Sequence, residues 1–186
     1  MKDYMVYPEY AFDCIVSSLK KTPRPEPKFE NDKSPLFVTW TMSPNAELRG
    51  CIGTFEAISV HKGVEDYAKI SAFEDMRFDP ITVSELESLI CTVSLLKCFE
   101  NGDDIHDFEM STHGITLKFS SKGKNMCATY LPEVTGTFPS KDAIIKSLMN
   151  KAGYYGKLED IKDSMKIERY QSCKYTLSYK DYINRK

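Results

Sequence analysis

The sequence predicts an α+β fold built mainly on antiparallel strands. Apolar residues recur at helical spacing in some segments of the 186-residue chain and alternate with polar residues in others. Short turns join neighbouring alternating segments, which is typical of β-hairpins. Because helices and hairpins are interspersed along the chain, the pattern indicates an α+β fold.

The first third of the chain contains a helix, a connector and two strands. Apolar side chains at helical spacing predict an amphipathic helix over residues 8–20. The segment 22–35 (TPRPEPKFENDKSP) is rich in proline and charge, and proline disfavours helix in the residue before it, so we expect an extended connector. β-branched and aromatic residues predict a strand at 36–42, and a turn at 43–46 leads to a second strand at 48–54.

A second helix and a third strand follow. Ser59 is suited to cap a helix, which we expect to end within the segment 73–80, where an Asp-Pro pair breaks it. Thr82 and Glu85 match a capping box for a short helix, since each side chain can bond the other's free backbone amide. Alternating apolar residues then predict a strand over 89–95.

The rest of the chain continues in the same way. Residues 115–119 and 126–131 alternate as strands, and the short turn between them predicts a hairpin. Ser140 caps the clearest helix, which Gly153 can end in a left-handed conformation. A last strand is expected over 175–179.

Composition and charge narrow the function classes. Hydrophobic residues make up 41% of the chain, enough for a sizeable core in one domain or two small lobes. The formal net charge of -2 lacks the basic excess that favours binding to nucleic-acid phosphates, so nucleic acid is not an expected partner. No apolar run reaches membrane-spanning length, so we expect no membrane association. We expect a cytoplasmic protein, with a nuclear location also open.

Six cysteines and three histidines are scattered along the chain without a metal-binding pattern. No CxxC pair is present, so we expect reduced thiols rather than a disulfide framework. No cluster shows strong zinc-ligand spacing, and the glycines form neither a dinucleotide fingerprint nor a P-loop. We therefore expect neither a metal nor a cofactor.

The segment ELRGCIGTF, residues 47–55, carries the main chemical candidates. Cys51 is either a packed thiol or a reactive thiolate favoured by Arg49 and by exposed glycine amides. Arg49 could instead hold a carboxylate or phosphate through two simultaneous hydrogen bonds. In an extended strand Arg49 and Cys51 would share one face, which fits a cleft wall better than a core. Gly50 and Gly53 would let the strand bend or another backbone approach closely.

Two residues outside this segment complete the candidate site. His113 begins a predicted strand and is the candidate acid/base to act with Cys51. Arg77 has two interpretations. It either pairs with Asp75 near a helix end, or faces the same cleft as Arg49, where two cations would bind an anion.

LRGCIGTF, residues 48–55, resembles the signature of the AMMECR-one domain family. The resemblance covers nearly the whole chain from about Tyr7 onward. The further segments that carry it, in the order expected for the family, are PLFVTW at 35–40, SAFEDMRF at 71–78, EL at 85–86, VSLL at 93–96, HGI at 113–115, ATYLPEV at 128–134, residues 148–153 with Lys151, and Tyr170. The chain departs from the family after Val134, where it reads TGTFP and the family commonly shows Gly-Trp.

The resemblance implies a two-lobed α+β domain with a cleft, in which a smaller lobe is inserted within a larger one. We expect the larger lobe to comprise about 1–54 plus 99–186, and the smaller inserted lobe about 55–98. The resemblance implies no single activity. Some relatives are linked with radical-SAM and Memo-type proteins, which implies a shared modification pathway without naming a substrate.

Two main functions stand as alternatives. The first is a regulatory domain that binds a ligand or a protein partner at a cleft built around LRGCIG. The second is a small enzyme acting on an anionic small molecule or modified group, with Cys51 as nucleophile or redox thiol and His113 as acid/base. In that enzyme Arg49 and Arg77 would bind the anion. RNA binding is a third alternative, disfavoured by the negative net charge.

Overall fold

A hairpin of two long strands, β1 (Lys33–Met42) and β2 (Glu47–Ser59), organises the first half of the computed structural model, which describes residues 3–186. The strands are antiparallel, with Trp40 of β1 opposite Gly50 of β2. The other edge of β1 pairs antiparallel with β3 (Leu89–Asn101). The predicted hairpin and third strand are confirmed, and all three strands are longer than the sequence pattern indicated.

The chain forms two compact units. Unit 1 contains the described residues up to Leu95 together with Cys173–Lys186. Unit 2 is Leu96–Ser172, which is inserted between the two parts of unit 1. Two strands, β3 and β6 (Lys166–Ser178), contribute residues to both units.

These boundaries differ from the predicted lobes, 1–54 plus 99–186 and 55–98. The segment after residue 54 does not separate from β1, because β2 continues to Ser59 and pairs with the start of β1. Val60 and Val64 then pack in the same hydrophobic core as Leu36. Burial of these apolar side chains together holds the segment within unit 1.

Within the described residues unit 1 contains four strands in the order β2-β1-β3-β6, three α-helices, and the short helix predicted after Thr82, which is a 3-10 helix at Val83–Ser88. The α-helices are α1 (Val6–Lys20), α2 (Val60–Phe73) and α5 (Tyr179–Asn184). Trp40 is fully buried at the centre of the core, and its ring N–H donates to the carbonyl of Ala68 in α2 at 3.2 Å. This bond satisfies the indole donor and fixes α2 against β1.

The start and the end of α2 agree with the sequence. Ser59 caps the helix as predicted, because its hydroxyl accepts a hydrogen bond from the backbone N–H of Lys62 at 3.4 Å. The helix ends at Phe73, at the beginning of the segment 73–80 in which we expected it to stop. Residues 74–78, between the end of α2 and the Asp-Pro pair, lie outside the helix and contribute to the candidate site.

Unit 2 contains strands in the order β3-β6-β4-β5. A two-residue turn joins β4 (Gly114–Ser121) to β5 (Lys124–Tyr130). Both turn residues, Lys122 and Gly123, have positive φ angles of 49° and 75°, which matches the right-handed twist of a tight hairpin. The predicted hairpin is confirmed.

Two helices pack against the hydrophobic core of unit 2. A short helix, α3 (Pro132–Thr135), follows β5, and α4 (Lys141–Lys151) is the predicted long helix. The Ser140 hydroxyl caps α4 by accepting from the backbone N–H of Ala143 at 3.2 Å, and Gly153 follows with a φ of 88°. The strand expected at 175–179 begins earlier, at Lys166, and its last expected residue starts α5. Among residues 3–186 every helix is too short or too polar to cross a bilayer.

Candidate functional site

Arg49 occupies a β-bulge in β2. Trp40 of β1 lies opposite Gly50, but the next residue, Thr41, lies opposite Leu48. Arg49 is therefore an extra residue on β2, and such a residue interrupts the regular alternation of faces. The expected sharing of a face with the cysteine two residues later assumed an unbroken strand. The contacts of each side chain, rather than alternation, define where it lies.

The Arg49 guanidinium pairs with Glu85. Its Nε donates to Glu85 Oε1 at 2.8 Å and its Nη2 to Oε2 at 3.4 Å. Glu85 Oε2 also accepts from the backbone N–H and the hydroxyl of Thr82, at 2.8 and 2.9 Å. Burial acts to raise the pKa of Glu85, but the hydrogen bonds from Arg49 and Thr82 outweigh it and lower the pKa. Glu85 is therefore an anchored anion that fixes the plane of Arg49.

One nitrogen of Arg49 is left without a partner. Its Nη1 is buried and makes no hydrogen bond within residues 3–186. The Arg49 side chain as a whole is only 15% exposed. Buried polar groups are nearly always hydrogen-bonded, so an orphaned guanidinium donor calls for an explanation in function or in strain.

Cys51 is held by its backbone, through Asp75 and Arg77. The backbone N–H of Cys51 donates to Asp75 Oδ2 at 3.0 Å, and its carbonyl accepts from Arg77 Nη2 at 3.0 Å. Because β2 is the outermost strand of its sheet, these two side chains take the place of a neighbouring strand at Cys51. The structural interpretation of Asp75 and Arg77 as an ion pair after a helix agrees with this geometry.

The Asp75–Arg77 pair is asymmetric in its exposure. The Asp75 side chain is 4% exposed, whereas that of Arg77 is 56% exposed. Arg77 donates to both carboxylate oxygens of Asp75, at 2.9 and 2.6 Å. These bonds hold the pKa of Asp75 well below its usual range, although burial acts in the opposite direction. Asp75 is therefore a buried, charged anchor for a half-exposed arginine.

The thiol of Cys51 lies against a hydroxyl. Thr39, its partner across the β1–β2 hairpin, donates from Oγ1 to Cys51 Sγ at 3.1 Å. Cys51 is half-buried. A threonine hydroxyl is not a base at neutral pH, so this contact orients the thiol without activating it as a nucleophile.

Gly50 and Gly53 admit close backbone contacts. A Cβ on Gly50 would lie 2.0 Å from the carbonyl oxygen of Ser71 in α2, and one on Gly53 would lie 2.2 Å from that of Leu36 in β1. No other residue fits at either position without displacing backbone. The glycines therefore set the spacing between β2, α2 and β1 on which the site is built.

Arg49 and Arg77 line the same cavity, which has a volume of about 480 Å³. Its five lining residues are Arg49, Met76, Arg77, Phe78 and Asp79. The Met76 side chain is 100% exposed, and the guanidinium carbon of Arg77 stands 5.5 Å from the centre of the Phe78 ring. The cavity thus combines two guanidinium groups with one fully exposed apolar side chain.

The carboxylates around this cavity outnumber its two guanidinium groups by one. Two guanidinium groups, Arg49 and Arg77, are set against the carboxylates of Asp75, Asp79 and Glu85. Each guanidinium already forms an ion pair with a carboxylate. The sequence left open whether Arg77 pairs with Asp75 or joins Arg49 in an anion site. The two guanidinium groups line one cavity, but each is paired, so the cavity has no excess of positive charge.

His113 belongs to unit 2, whereas Cys51 belongs to unit 1. The Nδ1 of His113 accepts a hydrogen bond from the backbone N–H of Glu109 at 2.9 Å, and its carbonyl accepts from Thr135 Oγ1 at 2.9 Å. With Nδ1 as acceptor, the neutral ring carries its proton on Nε2. The pairing of His113 with Cys51 as acid/base and nucleophile stays a prediction.

Metal-ligating side chains do not gather anywhere in the described chain. Within residues 3–186 no group of three or more His, Cys, Asp or Glu residues is arranged to hold a metal ion.

Three residues of the site escaped sequence reasoning. Glu85 was predicted only as part of a local capping box, yet it is the partner of an arginine 36 positions away. Thr39 and Met76 carried no signal beyond strand and turn. A capping box is readable because its partners are close in sequence, whereas an ion pair between distant residues leaves no local pattern.

A protein-family model matches most of the chain. The family model described as AMMECR1, the AMMECR-one domain, matches residues 8–175. The chain belongs to the AMMECR1 family. Every residue of the Arg49 cavity and its ion pairs lies inside the matched region of this AMMECR1 chain.

Relatives of this AMMECR1 chain occur in plants and yeasts. It is 42% identical over 182 residues to the "Uncharacterized protein At2g38710" of Arabidopsis thaliana, covering 94% of this chain and 85% of that protein. It is 34% identical over 188 residues to the "Uncharacterized protein C688.03c" of Schizosaccharomyces pombe, covering 98% and 96%.

A solved structure shares the fold. The uncharacterized protein PH0010 from Pyrococcus horikoshii superposes with a TM-score of 0.71 at 21% sequence identity, covering 95% of this chain and 93% of that one. The predicted α+β class with a mainly antiparallel sheet is confirmed.

Proposed function

We propose that unit 1 is a binding domain with a regulatory role, which receives a ligand or a partner in the cavity lined by Arg49 and Arg77. The observation that carries this proposal is the orphaned Nη1 of Arg49. Leaving a donor buried and unpaired costs on the order of 1–3 kcal/mol. An occupant that supplies an oxygen atom to Nη1 removes that cost, and the free energy so released favours binding.

The two carboxylates prepare the site for binding. Glu85 holds two nitrogens of Arg49 and Asp75 holds two of Arg77, so both guanidinium planes are oriented before an occupant arrives. Side chains ordered in advance lose little entropy on binding. This preorganisation supports recognition by fixed donors rather than by flexible charges.

Access to Nη1 requires a small local movement. Because Nη1 is buried, an oxygen reaches it only when lining side chains give way. Met76 is fully exposed, so it is the lining residue least restrained by packing, whereas Arg77 is held by Asp75 and by the carbonyl of Cys51. An occupant therefore displaces the Met76 side chain and leaves the contacts of Arg77 with β2 in place.

Binding is favoured over catalysis by the surroundings of Cys51. The described hydrogen-bond partner of its thiol is the hydroxyl of Thr39, and Cys51 is not one of the residues that line the cavity. The oriented, desolvated group that meets the cavity is an arginine, which binds oxygen atoms but neither takes nor gives a proton at neutral pH.

The proposal is tested by nuclear magnetic resonance on the full chain with three small probes: acetate, inorganic phosphate and N-methylacetamide. We expect at least one probe to shift the Nε–Hε signal of Arg49 and the amide signal of Cys51. The matched control is Arg169 in unit 2, whose three guanidinium nitrogens all have partners. If no probe shifts Arg49, or if Arg169 shifts equally, the cavity is not a binding site.

A further inference from the structure

We infer, on the basis of the proposed function, that the occupant is a segment of another protein that offers an uncharged backbone carbonyl to Arg49 and an apolar side chain to Met76. Three observations support this choice over an anion or a nucleic acid. They are the charge balance of the cavity, the position of exposed apolar side chains, and the blocked edge of β2.

The charge balance disfavours a charged phosphate. Asp75, Asp79 and Glu85 outnumber the two guanidinium groups, so the region carries one more negative than positive charge. A phosphate brings further negative charge and meets no unpaired cation to offset its desolvation. A peptide carbonyl accepts the same hydrogen bond and brings no net charge.

Exposed apolar side chains flank the same residues in sequence. Leu48 precedes Arg49, Met76 precedes Arg77, and Val83 lies two residues before Glu85, with relative exposures of 39%, 100% and 51%. Of these three residues Met76 lines the cavity beside the two guanidinium groups, and an exposed apolar side chain next to polar groups is typical of surfaces that bind proteins. Met76 is suited to such contacts, because methionine is unbranched and adapts to irregular partner surfaces.

The Asp75–Arg77 pair limits how the segment can bind. Both backbone groups of Cys51 on the outer strand β2 are already engaged by these side chains. A peptide cannot extend the sheet at this position, as it does in β-strand addition. Recognition therefore takes place through the carbonyl contact with Arg49 and side-chain contacts with Met76.

The test starts from a random-peptide phage library selected on the full chain. Enriched peptides are synthesised with acetylated and amidated ends, and their dissociation constants are measured by calorimetry. We expect Arg49→Lys to weaken binding about tenfold, because lysine keeps the charge but loses the planar fork of donors. We expect Met76→Ser to weaken it on the order of tenfold through lost apolar contact.

Two matched variants serve as controls, and both should leave binding unchanged. Arg169→Lys alters a paired arginine of unit 2, and Tyr155→Ser alters a side chain that is 82% exposed. Met76→Ser keeps the test decisive if Arg49→Lys disturbs folding, because a fully exposed side chain supports no packing. Far-ultraviolet circular dichroism of each variant checks the fold.

Salt and competitors identify the class of occupant. Peptide binding should change little between about 50 mM and 200 mM NaCl, whereas an RNA oligonucleotide would lose affinity steeply. Competition by inorganic phosphate or by an RNA oligonucleotide would overturn the peptide assignment and leave the binding cavity intact. The same holds if N-methylacetamide shifts Arg49 but no peptide is enriched. Peptides that bind with no sensitivity to Arg49 would overturn the peptide assignment, whereas the proposed function fails only if no small probe shifts the Arg49 signal more than that of Arg169.

Discussion

Arg49 in unit 1 and Arg169 in unit 2 are both partly buried arginines paired with acidic side chains, yet they differ in one atom. Arg169 donates from Nε and Nη2 to Glu100 and from Nη1 to Asp107, so all three nitrogens are satisfied. Arg49 donates from Nε and Nη2 to Glu85, and its Nη1 has no partner within residues 3–186. Arg49 is also the more buried of the two, with its side chain 15% exposed against 25%.

The difference separates a structural arginine from a candidate binding arginine. In a fully bonded guanidinium every nitrogen already donates a hydrogen bond. A buried nitrogen without a partner can still donate one to an incoming molecule. Residue type and charge do not distinguish the two positions. The number of hydrogen bonds made by each nitrogen does distinguish them. If that number separates a binding arginine from a structural one, variants of the two sites should behave differently.

We expect the largest effect from removing Asp75, which anchors both Cys51 and Arg77. Asp75→Ala leaves the backbone N–H of Cys51 and the Nε of Arg77 without acceptors. We expect the free energy of unfolding to fall by about 3 kcal/mol, measured by urea denaturation. Asp142→Ala is the control. Its side chain is 82% exposed, and we expect a loss within about 0.5 kcal/mol. Equal losses in the two variants would contradict the anchoring role.

The same variant has a defined pH dependence. The pKa of Asp75 is lowered in the folded protein, so its contribution to stability is complete above the unfolded pKa of about 3.9. That contribution is lost as the pH falls through the folded pKa. The difference between the parent protein and Asp75→Ala should therefore be constant near neutral pH and shrink below about pH 4. A difference that grows on acidification would exclude the assigned ionisation.

A smaller effect tests whether the Arg49–Glu85 pair serves stability. Glu85→Leu alone leaves a desolvated guanidinium unpaired and should cost about 2 kcal/mol. Adding Arg49→Met removes that guanidinium together with its orphaned donor, so we expect the loss to be recovered except for the part due to the lost hydrogen bonds of Thr82 to Glu85. Urea denaturation of both variants measures this. A double variant no more stable than Glu85→Leu would mean that the pair stabilises the fold as Arg169 does.

The smallest expected effect concerns the reactivity of the Cys51 thiol. Iodoacetamide should modify the exposed Cys98 and Cys127 first and the half-buried, hydroxyl-bonded Cys51 several-fold more slowly. Cys14 should react only after unfolding, because burial raises its pKa to about 12. Mass spectrometry of timed samples gives the order. If Cys51 reacts fastest, the enzyme hypothesis with Cys51 as nucleophile replaces the binding hypothesis.

Local chemistry made much of the fold readable from the sequence. Ser59, Ser140 and Gly153 mark helix ends through bonds or angles that involve only their near neighbours, and all three act as predicted. The length of the last strand was underestimated, because polar residues occupy many positions of its first half, between Lys166 and Cys173.

Only part of the site could be predicted from the sequence, because sequence patterns report local contacts and not contacts between distant residues. Arg49, Cys51 and Arg77 stand out by residue type in their segments, and Asp75 was recognised as the pairing partner of Arg77. The bulge, the Glu85 partnership and the orphaned donor depend on contacts between distant parts of the chain. Alternation rules cannot supply them, because a single extra residue changes which side chains share a face.

The bulge at Arg49 also bears on how such a site can arise. The hairpin pairs regularly on both sides of Arg49, so that residue is surplus to the ladder. Deleting it would place Gly50 and Leu48 in a continuous register with Trp40 and Thr41 and would shift only the few residues that lead to the turn. A binding group of this kind can therefore be gained or lost by a one-codon insertion or deletion, while the rest of the hairpin keeps its pairing.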